Sequence, residues 1–211
     1  MLKENRKTLI IASIVTLLPV VAGIIFWDRF PEKMATHFGM DGNPDGFSSR
    51  AFTVFAIPLI LVAVEWLGAY VTSLDPKVKD ISKKMVTMCF WIPPVVSLLL
   101  AGMVYPYNMG YRLDVLLIMG IFIGLMFVVI GNYMPKFRRN YVMGIRIPWT
   151  LESDDNWYRT HRLAGFLWVA AGAVILLLTL TGLMKVWMMA AVTVAAVLVP
   201  VVYSYATRDK K

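Results

Sequence analysis

Six stretches of the chain run almost without a polar break: Thr8 to Phe26, Ala51 to Thr72, Met85 to about Tyr107, Val115 to Met134, Leu163 to Met184 and Val186 to Thr207. Each is long enough to cross about 30 Å of hydrocarbon at roughly 1.5 Å per residue. Lipid offers no hydrogen bonds, so a spanning backbone must pair its own N–H and C=O groups, and each stretch is predicted to be a helix. The Val-rich segment Val192 to Val202 is read the same way, because it shows no period-two alternation. The expected fold class is all-α, an integral membrane bundle of six transmembrane helices. The first run resembles a signal peptide, but Phe26-Trp27-Asp28-Arg29 offers no small-x-small cleavage site, and it is expected to be a retained helix.

The polar segments between these runs set the orientation. Lys and Arg number sixteen in the N-terminus, the second and fourth loops and the C-terminal tail, against five (Arg29, Lys33, Arg50, Arg112 and Lys185) in the first, third and fifth loops. Cytoplasmic segments carry the basic excess, so both termini are expected inside, with loop 27–50 extracellular and loop 135–162 cytoplasmic. The net charge of +8 then reflects topology and contact with anionic inner-leaflet lipid, with no direct nucleic-acid binding expected.

Composition agrees: 59% of residues are hydrophobic and 16% charged, where a soluble domain has roughly 45–50% and about 25%. A water-soluble globule and a disordered chain are both excluded. One cysteine, Cys89, and two histidines, His37 and His161, cannot supply a tetrahedral zinc set, and no metal or cofactor is expected. The chain is divided into an N-terminal two-helix domain, 1–80, and a four-helix region, 81–211.

The extracellular loop carries His37, Phe38, Gly39, Asp41, Gly42 and Asp45. Asp41 to Gly46 matches the first half of a calcium loop, but its twelfth position is Phe52 rather than a bidentate Glu. A tight turn returning the chain to the membrane is the expected structure. Trp27, Phe30, Phe38 and Phe47 suit the outer interface or capture of an apolar peptide.

Within the second span, Glu65 is expected to face protein, as a neutral acid donating a hydrogen bond or by snorkelling toward the cytoplasmic end. It is either a proton-coupled or substrate-binding group or a neutral structural one. Pro58, and Pro93-Pro94 in the third span, are expected to kink their helices or open a cavity.

The cytoplasmic loop is dense in residues with special backbone roles. Pro135 is expected to end the fourth span, Gly144 to permit a turn, and Pro148 to hold Ile147 extended. Ser153 with Asp154 and Asp155 reads as the N-cap and first turn of a helix, which sets Trp157, His161, Ala164 and Trp168 on one stripe and Arg159 and Arg162 on another. The loop is expected to be ordered and to run straight into the fifth span. Its simplest role is an interfacial segment against anionic lipid.

The run N-x-x-P-K, then N-x-x-x-G-I-R-x-P-W-T-L, then W-x-x-x-H-R-x-x-G, from Asn132 to Gly165, resembles the signature of SdpI-like bacterial membrane proteins. The first two spans with their Pro31, His37, Phe38, Gly39, Gly42 and Asp45 loop resemble the N-terminal domain of unknown function that commonly accompanies it. The resemblance implies a six-helix protein of the bacterial cell membrane conferring immunity to a secreted toxic peptide. It also implies signalling, by holding a cytosolic transcriptional repressor at the membrane. The matched residues are Asn132, Pro135, Asn140, Gly144, Arg146, Pro148, Trp149, Thr150, Trp157, His161 and Arg162. A proton-coupled exporter, using Glu65, the proline-bearing helices and Asn132, is the alternative. Hydrolytic motifs are absent, and no enzymatic activity is expected.

Overall fold

The computed structural model describes residues 2–39, 42–77 and 81–208. Six helical segments long and apolar enough to span a membrane are present among them: Glu4–Ile25, Phe52–Ser73, Lys83–Asn108, Val115–Lys136, Asp154–Leu180 and Val186–Ala206. They fall into two compact units, one holding the first three spans through Asp114 and the other beginning at Val115.

In the first unit, α1 (Leu2–Ile25) buries Leu9, Ala12, Thr16, Pro19 and Gly23 at alternating spacings of three and four, while Ile11, Ile14, Leu18, Val21 and Ile25 point outward. Acyl chains accept those branched side chains as well as protein does, so helix contact is driven by close approach and hydrogen bonding through small residues. A Cβ on Gly23 would lie 2.4 Å from Val54.

The second span opens with a π-helical turn, Phe52–Ala56, and continues as α2 (Ile57–Ser73). Pro58 explains the wide turn: its ring collides with the carbonyl four residues back in a regular helix, and a π-bulge relieves that collision. The third span is broken at Trp91 into α3 (Lys83–Phe90) and α4 (Ile92–Asn108), immediately before Pro93-Pro94. Pro19, Thr53, Pro58, Ser97, Leu100 and Tyr105 line a small cleft between the three spans, beside the distortion at Pro58 and away from Pro93-Pro94. Ser97 donates to the Thr16 carbonyl (2.7 Å) and Tyr105 to the Pro19 carbonyl (3.1 Å), joining α4 to α1 across it.

The loop between the first two spans is more than a turn. β1 (Lys33–Phe38) and β2 (Pro44–Ser49) form an antiparallel hairpin with register shifts around His37. Its sequence hides it, because Pro44-Asp45-Gly46 reads as turn chemistry and the strands are short. Gly46 is required where it stands, since a Cβ there would sit 2.7 Å from the His37 Cβ. Asn108, at the end of α4, accepts from the Ala35 N–H (2.8 Å) and donates to the Ala35 carbonyl (3.0 Å), closing the outer edge of β1 as a partner strand would. Arg50 donates to the carbonyls of Trp27 and Phe30 and lies over the Trp27 ring, fixing the chain's return into the second span.

In the second unit, α5 (Val115–Tyr133) packs along α7 (Asp154–Leu180), with α6 (Pro148–Glu152) before α7 and α8 (Val186–Ala206) against it. The α5–α7 contact is a seam of glycines. A Cβ on Gly172 would lie 2.6 Å from the Gly124 carbonyl oxygen, and one on Gly165 2.8 Å from that of Gly131. Trp168 stacks on Phe127 with centroids 4.6 Å apart and donates to the Ala196 carbonyl (3.1 Å), linking α5, α7 and α8. The fifth span begins nine residues before its apolar run, at Asp154, and stops at Leu180, where Gly182 with φ +72° turns the chain.

Candidate functional site

The family-like stretch of the loop between the fourth and fifth spans folds around His161. Pro135 lies in the single 3-10 turn Met134–Lys136 that follows α5. Asn140, 2% exposed, then builds the next turn: its amide donates to the Arg138 carbonyl (2.8 Å) and its oxygen accepts from the N–H groups of Val142 (2.9 Å) and Met143 (2.6 Å). Gly144 follows with φ +100°, and a Cβ there would come within 2.3 Å of the His161 Nε2. The turn therefore demands glycine for its backbone angle and again for space.

His161, 1% exposed, holds the loop from beneath. Its Nε2 accepts from the Ile145 N–H (2.9 Å) and its Nδ1 lies 2.8 Å from the Trp157 carbonyl. A backbone N–H can only donate and a carbonyl only accept, so the ring is the neutral tautomer with its proton on Nδ1. Trp157 stacks beneath it at 4.0 Å and donates from Nε1 to the Phe137 carbonyl (2.7 Å). Ile147 is extended, as the following proline requires, and its N–H donates to the Thr150 Oγ1 (3.0 Å) at the start of α6. Ser153 caps α7 by accepting from the Asn156 N–H.

The matched residues thus divide in two. Asn140, Thr150, Trp157 and His161 are buried and shape the loop from within, and Gly144, itself exposed, makes its turn. Asn132, Pro135, Arg146, Pro148 and Arg162 stand exposed, and Trp149 is half-buried with its ring edge-on to Tyr205. Arg146 is held in place by donating to the Tyr141 carbonyl (2.7 Å). The Trp149 Nε1–H has no hydrogen-bond partner among the described residues. The acids do not meet His161: Asp154 pairs with Arg139 (2.6 Å) and Asp155 with Arg159.

Sequence reasoning passed over two contributors. Arg139 joins the start of the loop to its end, donating to the Leu151 carbonyl (2.7 Å) while pairing with Asp154. Asn156, 1% exposed, donates to the Ser204 carbonyl (3.0 Å) and accepts from the Ser204 hydroxyl (2.6 Å), tying α7 to α8. Its position one residue before Trp157 and four before Thr160, on the buried face of a capped helix, was the available signal.

Two other predicted groups lie in the first unit. Glu65 is 4% exposed and does not snorkel; its Oε1 is 3.4 Å from the Ser13 hydroxyl and its Oε2 has no partner among the described residues. Ser13 also accepts from the Trp66 Nε1 (3.0 Å). In the hairpin, His37 Nδ1 meets Asp45 Oδ1 at 2.5 Å in the open, and Phe38 packs edge-on against Tyr107. Gly39 donates to the Asn43 carbonyl (2.8 Å), and Gly42 turns the chain with φ +78°. Asp45 belongs to the extended strand β2, so it does not curl around a cation as a calcium loop would. Asp41 lies outside the described residues.

Six apolar helices carrying a structured polar loop define a multi-pass, all-α membrane protein. Residues 136–204 match the SdpI/YfhL protein family, and residues 14–62 match the domain of unknown function DUF1648. The chain is 25% identical over 206 residues to the protein named Immunity protein SdpI of Bacillus subtilis (strain 168), covering 94% of this chain and 95% of that one. The chain is thus similar to SdpI-like membrane proteins in its C-terminal half and to the DUF1648 domain in its first two spans. No solved structure matches it.

Proposed function

We propose that this chain is an immunity receptor of the bacterial cytoplasmic membrane, protecting the cell from a secreted toxic peptide by binding and without chemistry. The supporting observation is the end-to-end similarity to an immunity protein, which takes in both the hairpin-bearing and the loop-bearing unit. The hairpin follows one crossing and the polar loop follows four, so an outward hairpin faces the toxin while the loop faces the cytosol. Both termini are then cytoplasmic, in keeping with the distribution of Lys and Arg.

On the inner side, exposed Arg146 and half-buried Trp149 present a charge and an aromatic edge on a loop already ordered from beneath by His161. Such a surface suits a cytosolic repressor, with Asn132 and Arg162 also exposed and anionic headgroups around it. Peptide binding outside favours one helix arrangement, which alters how this loop is presented inside. Truncating Arg146 or Trp149 to alanine is expected to abolish retention of the repressor at the membrane while leaving survival against the peptide intact. Fractionation of a tagged repressor and a killing assay measure the two, and joint loss at normal protein levels argues against separable faces.

A second reading is favoured by one feature, the buried Glu65 with an unpartnered oxygen inside a span. Such groups mark proton-coupled transport when they act at all. In that case Glu65→Gln eliminates both resistance and pH-dependent uptake into vesicles. Unchanged behaviour removes transport and leaves a structural acid.

A further inference from the structure

The hairpin has one closed edge and one open edge. On β1, the N–H and C=O of Ala35 both turn away from β2 and are taken by Asn108. Ala35 stands opposite Phe47. In an antiparallel ladder a residue whose backbone groups point away from its partner belongs to a non-hydrogen-bonded pair, so the N–H and C=O of Phe47 also point outward, off the far side of β2. Further along, the Ser49 carbonyl accepts from the Thr53 hydroxyl (3.0 Å), which closes that end of the edge. Among the described residues, no hydrogen bond reaches the outward groups of Phe47, whose side chain is 59% exposed.

Natural sheets blunt such edges with bulges, proline or lysine. Here the register shifts on either side of His37, where the pairing passes from Gly46 to Pro44 over Asp45, and Pro44 stands at the strand's first residue; the regular part of β2, at Phe47, keeps both donor and acceptor. We propose that the outward edge of β2 at Phe47 binds an extended peptide as a third strand, with the Asp45 side chain beside it. The proposal rests on the toxic-peptide reading above and supplies the way that peptide is held.

Backbone pairing gives the affinity, and alternate side chains give preference: an apolar residue beside the Phe47 ring and a basic one beside the exposed Asp45 carboxylate. A second copy of the chain fits less well. A six-residue strand is about 20 Å long, and a strand laid against it covers a few hundred Å², well short of the roughly 1,000 Å² of a specific protein interface. A peptide needs no more than the edge itself.

The test uses the full chain in lipid nanodiscs, with residue-resolved amide exchange as the readout. The probe is a synthetic Thr-Val-Thr-Val-Thr-Val peptide, alongside copies N-methylated at one or the other set of alternate residues. The expected result is a slowing of the Phe47 amide by about tenfold or more at saturating peptide, with no change at Ser48, whose N–H faces β1. One of the two N-methylated sets should abolish the effect. Phe47→Ala keeps the outward N–H and should retain binding; Phe47→Pro removes only a donor that the hairpin does not use, and should lose it. No slowing at Phe47, slowing indifferent to N-methylation, or protection that grows with protein concentration without peptide each overturns the proposal, the last in favour of a second copy. A cell-killing assay separates this from the immunity reading. Cells left unprotected by the native chain sink immunity while a responding Phe47 amide keeps the strand site; protected cells with a silent Phe47 sink the strand site alone.

Discussion

Gly172→Leu is expected to destabilise the second unit by at least about 3 kcal/mol, the upper end of what forced overpacking costs. The reason lies in what a side chain would meet: a Cβ alone stands 2.6 Å from the Gly124 carbonyl oxygen and 2.8 Å from the Val128 backbone nitrogen. Backbone cannot swing aside as a rotamer can, so α5 and α7 must separate, and their separation withdraws the stacking of Phe127 on Trp168 as well. Gly68→Leu is the control. It occupies the same kind of apolar helix, yet a Cβ there meets nothing within 4 Å, so its effect should stay within about 0.5 kcal/mol. Thermal unfolding of both variants in detergent reads the difference, and equal shifts would remove the glycine seam as the source of cohesion.

Gly144→Ala is the second large effect, and it acts at the candidate site. A residue other than glycine held at φ +100° carries about 1–3 kcal/mol of backbone strain. The new methyl also drives into the His161 Nε2, which must leave the Ile145 N–H and strand that donor, for about a further 1–3 kcal/mol. His161→Ala strands the same donor by removing its acceptor. The two changes share one hydrogen bond, so the double variant should fall short of the sum of the singles. Rates of protease cleavage within the loop measure this directly. Strict additivity would mean that the Ile145–His161 bond does not hold the turn. Gly144→Ala should also weaken repressor retention, because Arg146 is positioned by the turn that Gly144 makes.

How much of this was legible in advance varies with the kind of residue. Pro135, Gly144, Pro148 and Ser153 declared themselves, because each imposes its backbone geometry locally. The stripe of Trp157, His161 and Ala164 was visible from helical spacing, and all three are buried. Asn108 was not legible as the clamp on Ala35, since the two lie 73 positions apart in the chain. Arg139 looked like one basic residue among several, and only the folded loop shows it joining Leu151 and Asp154. The hairpin was missed because two short strands with a bulged register leave too little alternation to read.

The sequence by itself determined six crossings and their helical character, because span length and backbone self-satisfaction are properties of a chain in lipid whatever its neighbours. It also determined that the second and third spans would be distorted near Pro58 and Pro93-Pro94, while the fifth stops at Leu180, four residues short of its apolar run. Only the tertiary structure decided which helices keep company, since hydropathy treats a lipid-facing leucine and a buried one alike, while contact between spans depends on glycines such as Gly124 and Gly172 meeting face to face. It decided, too, that one edge of the hairpin between the first two spans is closed and the other open, because backbone pairing is settled by what lies across a strand and never by the strand alone.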